Sequence, residues 1–146
     1  MKRGKPLTRR TCLVARAGLA RGRWFRSGRS TGKPTKAQAE RIDRLKHGEC
    51  ICCWINRQQG RATAYFGGCD AHHVLRGGRR IGHDATLAAC AWHHRGVKPY
   101  EAMTDAQATE IFGPSLAHGS KPFHAMYGSD QELLELQETL LTMETP

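Results

Sequence analysis

Acidic residues are missing from the N-terminal 39 residues of the chain. This segment holds 12 Lys/Arg and no Asp or Glu, whereas the rest of the 146-residue chain holds 11 basic and 13 acidic residues. Because it is rich in Gly and Arg and poor in core-forming residues, we expect it to be disordered in isolation. Clustered Lys and Arg bind a phosphate backbone by releasing its counterions, so nucleic acid is favoured as its partner over a solubility tail or an anionic membrane.

Long apolar runs are also absent, and no stretch approaches the length of a membrane span. Residues 8–13 superficially resemble a twin-arginine export signal, but Arg16 breaks the apolar run that follows and Arg21 ends it. We therefore expect a cytoplasmic protein. The six cysteines could form three disulfides, but a reducing compartment and the C-x2-C spacing favour a metal site.

The length allows one compact domain with a tail, which we place at 35–146 with a basic arm at 1–34. Three capping boxes predict helix starts. The first predicted helix runs from Thr35 to about Lys46, with Ile42 and Leu45 facing inward, and Gly48 ends it. The second runs from Thr104 to Gly113. The third starts at Ser129 and carries an apolar stripe of Leu133, Leu136 and Leu140, with Leu134 and Leu141 beside it.

The middle of the chain has β-like composition in residues 61–66 and 70–75, followed by a basic loop at 76–80 that we expect to be flexible. A helix is predicted to begin near Cys90 and to carry His93 and His94. The order of strand, loop, short strand and helix is that of a ββα-metal finger. The predicted fold class is therefore α+β, a small finger stapled by a structural zinc and flanked by helices.

Two short cysteine motifs have the spacing of zinc ligands. The sequence Cys50-Ile51-Cys52-Cys53 contains a C-x2-C pair, and Cys90-Ala91-Trp92-His93 contains a C-x2-H pair. Together they offer the four N and S donors of a tetrahedral structural Zn²⁺, namely Cys50, Cys53, Cys90 and His93. Cys52 is an alternative ligand inside the first pair, whereas Cys69 and Cys12 are expected to be ordinary thiols.

Three histidines, His72, His73 and His94, remain beside this metal site and suggest an active site. Hydrolysis of a phosphodiester needs a base for the water and a cation on the phosphate, and imidazoles can supply the base or hold the ion. The alternatives are ordinary core or surface histidines, or a second structural zinc. His47 and His83 are expected to be solvated loop residues.

The geometry of these histidines is only partly determined by sequence. Adjacent residues on a helix diverge by about 100°, so His93 can face the zinc while His94 faces the opposing strand. Adjacent residues on a regular strand point to opposite faces. His72 and His73 can therefore reach one phosphate only from a strand end, from a bulge, or from opposite flanks of a narrow finger.

The motifs together resemble an HNH endonuclease finger, and more specifically the Ref-type RecA-dependent nuclease family of phages and prophages. The resembling stretches are Cys50–Cys53, Ala71-His72-His73-Val74-Leu75-Arg76-Gly77-Gly78, Cys90-Ala91-Trp92-His93-His94-Arg95, Leu116–Gly119 and Phe123–Ser129. They follow the family's order and cover roughly residues 35–141.

The resemblance implies that His73 is the general base and that His72 and His94 hold a catalytic divalent ion. It implies a structural zinc on Cys50, Cys53, Cys90 and His93, and cutting of DNA where RecA filaments have paired a strand. The residues that would contact phosphates are Arg76, Arg79 and Arg80 with Arg9, Arg10, Arg21, Arg23 and Arg26 of the arm.

Two positions depart from the HNH pattern. Lys98 stands where many fingers have a further histidine, so the catalytic ion would have two protein ligands plus waters, which suits Mg²⁺ or Mn²⁺. His118 is a candidate third ligand. The asparagine that is often found ahead of the finger helix is missing here, and Thr86 is the residue nearest to its position.

Two alternative functions remain at this point, a RecA-independent phage HNH endonuclease and a non-catalytic zinc module that binds DNA.

Overall fold

The computed structural model describes residues 31–64 and 66–143. Cys12 and the arm arginines Arg9, Arg10, Arg21, Arg23 and Arg26 lie outside the described residues. Within these residues the fold is α+β, as predicted. The helices are α1 (Lys36–His47), α2 (Ile51–Gln58), α3 (Ala91–Arg95), α4 (Asp105–Phe112), α5 (Ser120–Tyr127) and α6 (Asp130–Met143), with a 3-10 turn at Leu116–His118; the strands are β1 (Asp70–His73), β2 (Leu75–Arg76), β3 (Arg79–Arg80) and β4 (Thr86–Ala89).

All three predicted capping boxes begin helices. The Thr35 hydroxyl accepts from the Gln38 backbone N–H at 3.3 Å, and the Gln38 side chain accepts from the Thr35 backbone N–H at 3.0 Å. The same reciprocal bonds start α4 at Thr104 and α6 at Ser129. Gly48 and Gly113 follow the ends of α1 and α4, as predicted. Helix boundaries with a local hydrogen-bonding signal were therefore readable from the sequence.

The buried face of α6 differs from the predicted leucine stripe. Leu133, Gln137 and Leu141 are buried, whereas Leu136 and Leu140 are only half-buried. Gln137 is tolerated in this face because its Oε1 accepts a hydrogen bond from the backbone N–H of Ala88 in β4 at 3.0 Å. The helix is thus fixed to the strand by a polar contact that hydrophobic periodicity could not reveal.

The strands form one irregular hairpin. Strand β1 pairs antiparallel with β4, and β2 pairs antiparallel with β3 beyond them. The prediction of a flexible loop at 76–80 is wrong, because Gly77 and Gly78 both have positive φ (57° and 73°) and form the two-residue turn between β2 and β3. The predicted strand at 61–66 is also wrong, since the described residues of that segment are not extended into a ladder.

Two helices were not predicted. Helix α2 begins at Ile51, inside the cysteine motif, with Cys50 at its N-cap but no side-chain cap to mark it. Helix α5 follows Gly119 and likewise has no side-chain cap. Both are eight residues long and are held by burial rather than by a local start signal.

Helices α1 and α6 lie against the β1–β4 pair. Helices α2 and α3 also contact β4. Arg41 of α1 hydrogen-bonds Thr86 of β4 and pairs with Glu138 of α6, which joins these three elements. The largest fully buried side chains of the core are Trp92, Phe123, Leu45, Ile51 and Leu133. Among the described residues, no helix combines the length and apolar composition that crossing a bilayer requires.

Candidate metal centre and active site

Four buried side chains converge between α2 and the start of α3. Nδ1 of His93 lies 3.5, 3.6 and 3.2 Å from the sulfurs of Cys50, Cys53 and Cys90, and the Cys53 and Cys90 sulfurs are 4.0 Å apart. A tetrahedral Zn²⁺ with Zn–N of about 2.0 Å and Zn–S of about 2.3 Å separates its ligands by about 3.5 Å (N to S) and about 3.8 Å (S to S). The four donor atoms all lie within 4.8 Å of one another, so this set fits a metal such as zinc.

The second nitrogen of His93 is also engaged. Nε2 lies 3.0 Å from the Phe112 carbonyl oxygen and 3.0 Å from the Tyr127 hydroxyl. Donation to the carbonyl keeps the proton on Nε2 and leaves the Nδ1 lone pair directed at the three sulfurs. Such an outer hydrogen bond is what orients a metal-ligating histidine. The end of α4 therefore sets the direction of a ligand on α3.

The electrostatics of Cys50 and His93 also favour a cation. Burial acts to lower the pKa of His93, but the hydrogen bonds and negative charge of Cys50 and Cys90 outweigh it and raise that pKa to about 10, so that a proton on Nδ1 takes the place between ring and sulfurs that a metal ion would occupy. Burial acts to raise the pKa of Cys50, yet its neighbouring thiols hold that pKa well below the ordinary value. Negative charge held on buried sulfur needs a positive partner, and a divalent ion supplies one.

The remaining cysteines of this region stay outside the four-residue group. Cys52 is fully buried in the first turn of α2, and burial raises its pKa well above the ordinary value. Cys69 is half-buried, and its thiol donates to the Gly48 carbonyl at 3.4 Å. Neither belongs to the convergent group.

On the opposite side of α3, His94 meets β1. Its ring lies edge-on to that of His72, with centroids 5.0 Å apart. Nδ1 of His94 is 2.9 Å from a carboxylate oxygen of Asp70, which also accepts from Nε of Arg95 at 2.7 Å. Asp70 and His72 are two residues apart on β1 and so share one face of the strand. Asp70 was missed by the sequence interpretation, because only the strand register shows that it faces α3.

This arrangement leaves imidazole lone pairs available for an ion. Burial, with a smaller contribution from His94, lowers the pKa of His72 to about 4, so its ring is neutral at physiological pH. The hydrogen bond from His94, helped by Arg95, holds the pKa of Asp70 below its ordinary value. Since Asp70 engages Nδ1 of His94, Nε2 of that ring is the atom left to bind a ligand.

His73 lies at the end of β1, and its ring turns to a different partner. Its Nε2 lies 3.2 Å from Nδ1 of His83, and Nε2 of His83 lies 3.1 Å from the carbonyl oxygen of Gly32. His83 is only 8% exposed, so the prediction of a solvated loop residue is wrong for it, while His47 is exposed as predicted but is the last residue of α1 and not part of a loop. Burial, Arg80 and His83 together lower the pKa of His73.

His118 and Lys98 both face the carboxylate of Asp105. Nε2 of His118 lies 3.6 Å from one Asp105 carboxylate oxygen, and Nζ of Lys98 lies 3.6 Å from the other. The His118 ring is also edge-on to Trp92, with centroids 5.3 Å apart. Both residues therefore lie against the start of α4, where Asp105 is the first residue.

The β2–β3 hairpin carries exposed positive charge beside these histidines. Arg76, Arg79 and Arg80 are exposed, and Arg76 is the direct cross-strand partner of Arg79. Like charges opposite each other destabilise a strand pair, and a bound anion relieves that repulsion. The effect of Arg80 on the pKa of His73 shows that this charge reaches the histidine cluster.

The model of the family described as "Recombination enhancement, RecA-dependent nuclease" matches residues 34–142. The chain belongs to this family. The matched range contains the Cys/His group, the three remaining histidines and the basic hairpin. Comparisons with curated proteins and with solved structures gave no match. Family membership therefore supplies the general activity, a RecA-dependent nuclease of recombination, and the residues must supply the mechanism.

Proposed function

We propose that the chain is a metal-dependent DNA endonuclease of the HNH type that nicks or cuts DNA at RecA-paired strands during phage recombination. The observation that carries this proposal is the contact of His72 on β1 with His94 on α3, with His73 the following residue at the end of β1. A strand pair followed by a helix, with a Cys/His group at the start of that helix, is the arrangement of a ββα-metal finger.

The residues divide into a structural set and a reacting set. Cys50, Cys53, Cys90 and His93 would hold a structural Zn²⁺ that fixes the start of α3 against α2. His72 and His94 would hold a catalytic Mg²⁺ or Mn²⁺, which when bound neutralises charge on the phosphate and the leaving oxygen. We assign no role in metal binding to His118, because it lies against Trp92 and Asp105.

His73 would act as the general base. It takes a proton from a water molecule as the water oxygen attacks phosphorus, the bond from phosphorus to the leaving sugar oxygen breaks, and that oxygen then takes up a proton. Burial and Arg80 keep the pKa of His73 lowered, so the imidazole is unprotonated at neutral pH and able to accept. The arginines of the hairpin would bind flanking phosphates, as would those of the arm.

The assay that tests this function compares nicking of duplex DNA in Mg²⁺ or Mn²⁺ with and without RecA filaments and ATP. We expect cutting only where the filament has paired a strand. Equal cutting without RecA would favour a RecA-independent HNH endonuclease. No cutting under any divalent ion, with or without RecA, would leave a non-catalytic zinc module that binds DNA.

A further inference from the structure

Arg95, the last residue of α3, is a charged side chain to which the proposed reaction assigns no part. Its Nε donates to Oδ2 of Asp70 at 2.7 Å, and Nδ1 of His94 lies 2.9 Å from the same oxygen. Because both contacts end on one atom, the two nitrogens lie within about 6 Å of each other. A single carboxylate oxygen on β1 thus places a guanidinium beside the imidazole to which the catalytic ion is assigned.

The donors and acceptors of this group are mutually consistent. The hydrogen bond from His94, helped by Arg95, outweighs burial and holds the pKa of Asp70 below its ordinary value, so the carboxylate is ionised and only accepts. Nδ1 of His94 therefore carries the proton that it donates, and a guanidinium only donates. In the neutral imidazole of His94, Nε2 then keeps its lone pair.

The contact with Asp70 uses only one nitrogen of the Arg95 guanidinium. The Arg95 side chain is 58% exposed, and neither Nη1 nor Nη2 donates a hydrogen bond to any residue that the structure describes. The terminal nitrogens of a guanidinium form a fork that matches the oxygens of a phosphate. With Nε fixed by Asp70, the direction of this fork is set before a substrate arrives, and preorganised donors of this kind stabilise a transition state.

Negative charge on a phosphodiester grows as water attacks its phosphorus, and a cation beside the divalent ion stabilises that charge. We propose that Arg95 is a catalytic residue that donates from its Nη atoms to the scissile phosphate, while the ion on His72 and His94 holds another oxygen of the same phosphate. The inference rests on the proposed function. Asp70 then positions both cations through one oxygen. The arginines of the β2–β3 hairpin would bind flanking phosphates and would not touch the reacting group.

The alternative is an ordinary surface ion pair, and the chain offers a matched example of one. Arg57, in the last turn of α2, is 57% exposed and lies 2.7 Å from a carboxylate oxygen of Glu49. Arg57→Gln is therefore the control, since it removes an arginine of the same exposure and pairing that no proposed step uses. The test variants are Arg95→Gln and Arg95→Lys. Lysine keeps the charge and can pair with Asp70, but one ammonium cannot also supply the fork.

The experiment measures single-turnover cleavage of RecA-paired DNA at saturating Mn²⁺, and the Kd for Mn²⁺ by isothermal titration of the zinc-loaded protein. We expect both Arg95 variants to cleave about 100-fold more slowly than the wild type, the usual effect of removing one donor to the transition state. Their Kd for Mn²⁺ should not increase, and their zinc content should be normal. Arg57→Gln should match the wild type in all three measurements.

Cleavage by Arg95→Gln at the wild-type rate would overturn the inference. So would wild-type cleavage by Arg95→Lys, because pairing with Asp70 would then suffice. A weaker Mn²⁺ affinity with a rate that excess Mn²⁺ restores would also overturn it, since Arg95 would then only position the ion. Failure of the proposed function looks different. In that case the wild type cuts no DNA, which overturns both, or His73→Ala cuts as fast as the wild type while the Arg95 variants still decide the role of Arg95.

Discussion

Nδ1 of His94 lies 2.9 Å from a carboxylate oxygen of Asp70, and this contact joins α3 to β1 on the face that carries His72. A carboxylate that accepts from one ring nitrogen fixes the tautomer and raises the basicity of the other nitrogen. The pair therefore prepares Nε2 of His94 for a divalent ion. Asp70 is a positioning residue, since it would act on the ion only through His94.

Asp70→Asn should weaken binding of the catalytic ion. The expected increase in the Kd for Mn²⁺ is about 10- to 100-fold, the usual effect of losing such an outer partner. Isothermal titration of the zinc-loaded protein measures it without reference to cleavage. Asp43→Asn, which removes the same charge from the exposed face of α1, is the matched control. An equal loss of affinity in both variants would mean that general charge, not the contact with His94, sets the affinity.

The Cys/His group predicts which thiols zinc requires. Cys90→Ser should lose zinc and with it the cooperative thermal transition, because binding of a structural Zn²⁺ contributes on the order of 10 kcal/mol to folding. Cys69→Ser should keep one zinc per chain and a normal transition, since Cys69 lies outside the group. Metal analysis measures the zinc content of each variant, and thermal unfolding shows whether its cooperative transition is kept. Zinc loss in both variants would require a different ligand set.

The lowered pKa of His72 predicts a pH dependence of stability. In the unfolded chain this imidazole takes up a proton near pH 6.5, whereas in the folded protein burial delays protonation to about pH 4. Its contribution to stability is therefore present above pH 6.5 and is lost as the pH falls from 6.5 to about 4. We expect the free energy of unfolding, measured in urea without added Mg²⁺, to fall less steeply over this range in His72→Gln. Parallel curves for the two proteins would contradict the assignment.

Two glycines with positive φ predict a difference in stability. Gly113 (φ 83°) and Gly60 (φ 69°) both adopt positive φ, but a Cβ at Gly113 would lie 2.1 Å from the Tyr127 hydroxyl oxygen, whereas a Cβ at Gly60 meets nothing within 4 Å. Gly60→Ala should cost about 1–2 kcal/mol, the price of a left-handed residue. Gly113→Ala should cost more, because Tyr127 must also move away from His93. Urea unfolding of both variants tests the order, and equal costs would contradict it.

The basic hairpin predicts a change in the salt dependence of DNA binding. If Arg76 and Arg79 each contact one phosphate, the double glutamine variant should reduce the slope of log K against log salt by about 2. The control is Arg57→Gln, which removes a charge already paired with Glu49 at 2.7 Å. Affinity is measured by fluorescence anisotropy over a range of salt concentrations. An unchanged slope in the double variant would place the DNA elsewhere.

The sequence predicted those features that depend on local chemistry. The Thr35, Thr104 and Ser129 capping boxes begin helices, and the spacing of Cys50 and Cys53 brings both thiols to one point at the start of a helix. Contacts between segments that are distant along the chain could not be predicted from the sequence. Asp70 and His83 acquire their partners only from strand register and from the turn before β4.

The errors have physical causes of the same kind. Residues 61–66 have β-like composition, but the described residues of this segment pair with no strand in the described part of the chain, and pairing partners decide whether such a segment becomes a strand. At 76–80, glycine and arginine suggested flexibility, yet two consecutive glycines at positive φ are what a tight hairpin turn requires.

The most direct test of the account is cleavage by His73→Ala in the presence of RecA filaments, ATP and Mg²⁺. We predict that this variant keeps its zinc, its fold and its affinity for DNA while its single-turnover cleavage rate falls by about 100-fold or more, the contribution of a positioned general base. Cleavage at the wild-type rate by a folded, zinc-loaded His73→Ala protein would contradict the account.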